Sequence, residues 1–392
     1  MPEPRRRFLQ GLSAMPLLGS QIEAAPAPRD WFAELGVRSF INAAGTYTRL
    51  TSCKMPPEVM EAMNTASQRF VNLDELQTAV GTRIASMLQC EAAMVTSGAA
   101  GAITVGAAAC LAGKNPERIA LLPHATGFPH QVVLQRTHHT NYEHSLLTAG
   151  ARLIEVETED DIERAAPQAA MMFFLNDATP RSTISHERWV AISKRLKIPT
   201  MIDAAADVPP VENLFRFTAM GFDLVAISGG KGIRGPQSSG LLLGRRDLIE
   251  AARLNTSPNS ATVARGMKVN KEEIVGLLAA LELYLARDHQ ADWKEWSRRA
   301  ELIRDSAARV AGVTAEVYVP PVANRVPHVR ISWDRSHLSL APEEAMARLR
   351  SGSPSIEACP ESDDKYLILN TWMLEPGETE IVAERVQAVL AR

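Results

Sequence analysis

The sequence predicts an α/β protein with a large domain on a mainly parallel sheet and a small α+β domain after it. Three observations carry this. Between about residues 60 and 260, short apolar runs alternate with helical patterns, as βα units require. The chain has 392 residues, 46% of them hydrophobic, which suffices for a large core and favours two domains over one. Residues 270–312 then read as helix, with Ile274, Leu277, Leu278, Leu281 and Leu285 at helical spacing.

In chain order, Arg5-Arg6-Arg7-Phe8-Leu9-Gln10 fits the twin-arginine export pattern. A short apolar stretch from Gly11 to Gly19 and the small residues Ala24-Ala25-Pro26-Ala27-Pro28 complete the form of a signal peptide over residues 1–28. The expected address is periplasmic; the alternative is a basic tail on a cytoplasmic protein. Residues 29–60 read as an arm broken at Pro56-Pro57. The large domain spans 61–265, with strands expected at Ala92–Thr96, Gln131–Arg136, Arg152–Val156, Ala170–Leu175, Thr200–Asp203, Leu224–Ser228 and Gly240–Leu243. Linking helices occupy 266–312. The small domain, 313–392, has strands near Val326–Trp333 and Tyr366–Asn370. No apolar run is long enough to insert in a membrane. Cys53, Cys90, Cys110 and Cys359 lack metal spacing; Cys90 and Cys110 sit in apolar helical patterns and read as buried thiols.

The chemistry is concentrated in three segments. The run Phe222–Gly244 holds an apolar strand, then Ser228-Gly229-Gly230-Lys231, then a Gly-Pro-rich loop. Glycines let a ligand approach the backbone, and a lysine among them can attack a carbonyl. Upstream, Pro199-Thr200-Met201-Ile202-Asp203 ends an apolar run in a carboxylate. A Schiff-base lysine paired with an aspartate for a pyridinium nitrogen is what pyridoxal phosphate (PLP) requires. Finally, the strand before Ser97-Gly98-Ala99 leads into a small-residue helix, whose N-terminus suits a phosphate. The bland alternatives are a loop lysine and a helix-capping aspartate.

The order of phosphate loop, aspartate strand and lysine strand resembles that of the fold-type I PLP-dependent transferases. Ile41-Asn42-Ala43-Ala44-Gly45-Thr46, Ser228-Gly229-Gly230-Lys231 with Gly235-Pro236-Gln237, and Met267–Ile274 are similar to segments of the selenocysteine synthase (seryl-tRNA selenium transferase) family. The likeness runs from about Val37 to the C-terminus and includes members of the D-glucosaminate-6-phosphate ammonia-lyase type. It implies Lys231 as Schiff-base lysine and general base, and Asp203 as partner of the pyridine nitrogen. It implies Ser97, Gly98, Ala99 and Ser228 around the phosphate, Gln237 beside the cofactor, and His138, with His139 as rival, stacked on the ring. It also implies an active site at a subunit interface, hence a homodimer or larger homo-oligomer, with the arm and Cys53 near the site. Arg49, Arg325 and Arg330 are candidates for a substrate carboxylate.

A formal net charge of −3 with no evident basic stretch argues against tRNA as a partner. The expectation is therefore a PLP-dependent lyase that abstracts an α-proton from an amino acid or amino-sugar acid and eliminates, releasing ammonia. A PLP-dependent racemase or aminotransferase is the alternative, ahead of a selenium transferase or a non-catalytic binding protein. No metal is expected. Export of a folded, cofactor-loaded chain would suit the twin-arginine route.

Overall fold

A computed structural model describes residues 29–391 except 361 and 363, so the leader read above lies outside the described residues. The described residues fall into two units, one before Phe40 and one from Phe40 onward. In the first part the helix Trp31–Glu34 is capped by Asp30, whose carboxylate accepts from Phe32 N and Ala33 N.

The described residues of the second part hold twelve strands: β1 (Phe40–Ala43), β2 (Ala92–Thr96), β3 (Gln131–Gln135), β4 (Arg152–Val156), β5 (Ala169–Leu175), β6 (Thr200–Asp203), β7 (Leu224–Ser228), β8 (Gly240–Gly244), β9 (Val313–Tyr318), β10 (His328–Trp333), β11 (Ser355–Ala358) and β12 (Leu367–Asn370). Seven form one sheet in the order β2-β8-β7-β6-β5-β3-β4. The inner pairs from β4 to β7 are parallel, while β8 runs antiparallel to both β2 and β7. The loop 229–239 is too short for a crossover helix, so β8 can only turn back beside β7. Strands such as Gly240–Gly244 are buried along their whole length, because helices cover both faces.

The helix Gly98–Ala112 shows why its sequence is all small residues. It lies directly on the sheet: a Cβ on Gly106 would come within 2.0 Å of Met201 Cε. The expected linking helices are Lys271–Ala286 and His289–Ala307, parted at Arg287-Asp288. The first starts at an Asn270–Glu273 capping box and packs Ile274, Leu277 and Leu281 into the core that contains Val59.

The C-terminal region builds the antiparallel sheet β12-β10-β9. Two elements there were not anticipated, β9 and the parallel pair β1–β11. Through that pair the arm contributes Ile41 and Ala43 to the same core as Ile356, Ala358, Leu369 and Val386. No helix among the described residues is long and apolar enough to cross a membrane.

Candidate active site

Asp203 closes β6 and Ser228 closes β7, so Asp203 and the lysine loop emerge at the carboxyl ends of neighbouring parallel strands, where open α/β sheets bind ligands. Asp203 is buried and accepts from Ala205 N at 2.9 Å. Burial pushes its carboxyl above the usual range. The Ala205 bond and the positive charge of Lys231 pull it back, and Asp177 adds repulsion. Lys231 and Asp203 are therefore electrostatic neighbours, as the spacing of their strands requires.

The lysine loop is folded on itself. Gly229 N donates to Ser239 O, Gly235 N to Gly229 O and Arg234 N to Lys231 O, each at 2.9 Å. Its glycines are sterically obligatory: a Cβ at Gly230 would lie 2.4 Å from Gln237 Cα, and one at Gly232 would lie 2.2 Å from Val208 O. The arm grips this loop. Ser52 Oγ and Cys53 Sγ both donate to Gly230 O, and Gln237 Nε2 donates to Thr48 O at 2.9 Å. Burial pushes the Cys53 thiol up to about 11, against the pull of Arg234, so it stays a protonated donor. Cys53 is thus a fastening of the loop. Cys90 and Cys110 are likewise raised by burial, and Cys359 is buried with its Sγ 3.1 Å from the Tyr47 hydroxyl.

At the edge of this region Ser97 caps the helix Gly98–Ala112, yet its hydroxyl makes no capping bond. Gly98 sits at φ +73, and a Cβ on Gly240 would strike its carbonyl carbon at 2.3 Å. Gly101, one turn on, leaves room for the Ser97 hydroxyl: a Cβ there would stand 2.6 Å from Oγ. An uncommitted hydroxyl and backbone N–H groups in a cradle emptied of side chains fit a phosphate. A lysine beside a buried carboxylate fits the rest of PLP. Among the described residues no group of His, Cys, Asp and Glu is placed to hold a metal ion.

Three expectations meet a different geometry. His138 has no exposed surface, so its ring offers no open face for a cofactor to stack on. Its Nδ1 accepts from Leu175 N at 3.2 Å, which puts the proton on Nε2, 2.8 Å from Ser182 Oγ. The ring stands edge-on to Phe174, and burial lowers its pKa to about 3, holding it neutral. His139 is instead half-exposed and paired with Glu143 and Glu155. Arg330 is committed to Glu316 and lies over Tyr318 and Tyr366. Arg49 and Arg325 are exposed and carry no ion pair or hydrogen bond among the described residues.

One residue was missed. Asp207 is 2% exposed, and burial raises its carboxyl to about 6, with Asp203 and Asp177 adding repulsion. A second acid four residues after Asp203, inside an alanine run, was the available signal.

These features define a PLP-dependent enzyme of the fold-type I class. The L-seryl-tRNA selenium transferase family profile matches residues 135–319. D-glucosaminate-6-phosphate ammonia lyase of Salmonella typhimurium is 28% identical over 91% of this chain and 97% of its own length. A Streptomyces 5'-C-glycyluridine monooxygenase-decarboxylase is also 28% identical, over 83% of each chain. L-seryl-tRNA(Sec) selenium transferase of Moorella thermoacetica is 24% identical over 90% of this chain and 82% of its own. A solved D-glucosaminate-6-phosphate ammonia-lyase superposes with TM-score 0.80 at 26% identity, covering 93% of this chain and 99% of that one. A serine palmitoyltransferase, at TM-score 0.56 and 13% identity, shares the fold, covering 90% of this chain and 88% of its own. Within the class, the chain is similar to the L-seryl-tRNA selenium transferase family over residues 135–319.

Proposed function

We propose that this chain is a PLP-dependent lyase that eliminates the β-hydroxyl of an amino-sugar acid or hydroxylated amino acid as water, the resulting enamine taking up water to give a 2-oxo acid and ammonia. The observation that carries this is Lys231 set against the buried carboxylate of Asp203, in a chain alike from end to end to an ammonia lyase. When bound, PLP supplies an electron sink for a carbanion at the substrate α-carbon. Lys231 would hold the cofactor, and its amine would take the α-proton as general base. The carboxylate of Asp203 keeps a proton on the pyridine nitrogen. The Ser97 hydroxyl and the N–H groups of Gly98 and Ala99 bind the phosphate, with Ser228 beside them, and orient the ring. Gln237 fixes the arm against the lysine loop.

Borohydride reduction of the loaded protein tests the lysine: the label should fall on Lys231, and a label elsewhere or none would exclude the assignment. Incubation with D-glucosaminate 6-phosphate and with serine should release ammonia and a 2-oxo acid. D/L exchange without ammonia would instead establish a racemase, and amino transfer to an added 2-oxo acid an aminotransferase. The relative that is a monooxygenase-decarboxylase makes oxygen uptake a necessary control.

The active form is a homodimer or larger homo-oligomer. Supporting this, Phe70 is wholly exposed and Met60 and Val71 about half-exposed, beside a groove of about 510 Å³ lined by Ala62, Ala66 and Leu76. The enzyme works in the periplasm after twin-arginine export, on the strength of Arg5-Arg6-Arg7-Phe8-Leu9-Gln10.

A further inference from the structure

The backbone turn at Ala323 and Asn324 is strained. Their φ values are +48 and +44, a region that residues with a side chain seldom adopt, and alanine has no local hydrogen bond to offset it. Two bonds from the segment after β6 hold the turn in place. Asn324 N donates to Ala206 O at 2.7 Å, and Ala323 N donates to Asp207 Oδ1 at 3.2 Å.

Asp207 is itself fixed on every side. Its carboxylate is hydrogen-bonded by the Asn176 side chain, and its carbonyl accepts from Asn213 Nδ2 at 2.7 Å. Asn176 Oδ1 in turn meets His186 Nε2 at 2.8 Å. Asp207 also feels the charges of Asp203 and Asp177, which puts the turn it holds beside the site. The residue that follows the turn, Arg325, is exposed and has no ion pair among the described residues. Of the three arginines considered above, Arg330 is spent on Glu316.

We propose that Asp207 is a positioning residue: it holds the strained turn at Ala323–Asn324 so that Arg325 receives the carboxylate of the substrate beside Asp203 and Lys231. This rests on the PLP reading of Lys231. A buried carboxylate that faces two other acids and accepts only from Ala323 N and the Asn176 side chain is costly for mere structure. It is intelligible if the turn must stay in one conformation while its arginine meets an anion.

The test compares two amines on the loaded protein, read by the absorbance shift of the lysine-bound cofactor. Serine, as each enantiomer, carries the carboxylate; ethanolamine is the same amine without it. The parent should prefer one serine over ethanolamine by about tenfold or more, the range of a charge-assisted bond. Arg325→Gln and Asp207→Ala should each bring that preference close to one, with ethanolamine binding unchanged. Asp207→Asn, whose amide oxygen still accepts from Ala323 N, should restore most of it. The Asp207→Ala/Arg325→Gln pair should lose no more than either alone. Asp207→Leu, similar in shape but without an acceptor, serves if Asp207→Ala does not fold. An undiminished preference in Arg325→Gln, Asp207→Ala or Asp207→Leu, or no preference in the parent, overturns the proposal. If neither serine nor ethanolamine shifts the absorbance, the Lys231 reading has failed and this proposal falls with it.

Discussion

Replacing Gly101 by alanine should weaken cofactor binding while leaving the empty chain as stable as before, or more so. The two effects have separate causes in the same methyl group. Gly101 lies in the helix Gly98–Ala112, where alanine in place of glycine gains about 0.5–1 kcal/mol of helix stability. The new Cβ would stand 2.6 Å from Ser97 Oγ and 3.6 Å from Ser97 Cβ, with Thr96 Cβ at 4.0 Å and nothing else within 4 Å. Only the Ser97 hydroxyl must yield, and it can do so by rotating about χ1, which costs the empty chain little. Rotation takes the hydroxyl out of the phosphate cradle. A hydrogen bond to a charged group contributes about 1.5–3 kcal/mol, so PLP affinity should fall about ten- to hundredfold. Titration of the stripped protein with PLP measures this, and calorimetry of the stripped protein measures stability. Ser97→Ala should weaken PLP as much, and the double variant no further. An unchanged PLP affinity, or a melting temperature lowered by several degrees, would refute both the cradle and the role of Ser97 in it.

Asp203→Asn should retain PLP yet lose most activity, because a neutral amide does not hold the ring proton as a carboxylate does; near-parental turnover would exclude the role. Native Cys53 should resist iodoacetamide at pH 8, since its thiol titrates near pH 11, and mass spectrometry should show alkylation growing only as that pH is approached. The neutral thiol is the form the fold favours, so its contribution to stability is complete below the ordinary thiol pKa of 9 and is lost between pH 9 and 11. Changing Arg5, Arg6 and Arg7 to lysines should trap uncut precursor in the cytoplasm; equal export of parent and variant, followed by blotting of the two compartments, would remove the leader reading.

The central sheet was legible because its strands are buried on both faces, and a continuous apolar run such as Ala169–Leu175 has few other uses. Ser97, Asp203 and Lys231 drew notice in the sequence for a related reason: each polar group stands at or just beyond the end of a buried apolar run. The direction of β8 was not, since strand composition says nothing of polarity and only the length of loop 229–239 bears on it. The β1–β11 pair joins distant residues with no local signal. Arg330 looked available until the register of β9 on β10 set Glu316 opposite it. His138 misled because a histidine after a strand serves equally to stack on a ligand or to bind two neighbours in the core, and sequence does not distinguish a wet face from a dry one.

The parallel pairing of Phe40–Ala43 with Ser355–Ala358 orders the birth of the active site in time. The strand Phe40–Ala43 cannot find its partner until Ser355–Ala358 has been made, and contacts of such sequence separation form slowly. Between those strands and the lysine loop lies one short piece of chain, Ala44 to Lys54, whose Ser52 and Cys53 hold Gly230. A nascent or truncated chain lacking β11 would leave that clasp anchored at one end only. The loop that carries Lys231 is thus fully fastened only once β11 has joined β1, and the fold withholds its reactive amine from settled geometry until that pairing is made.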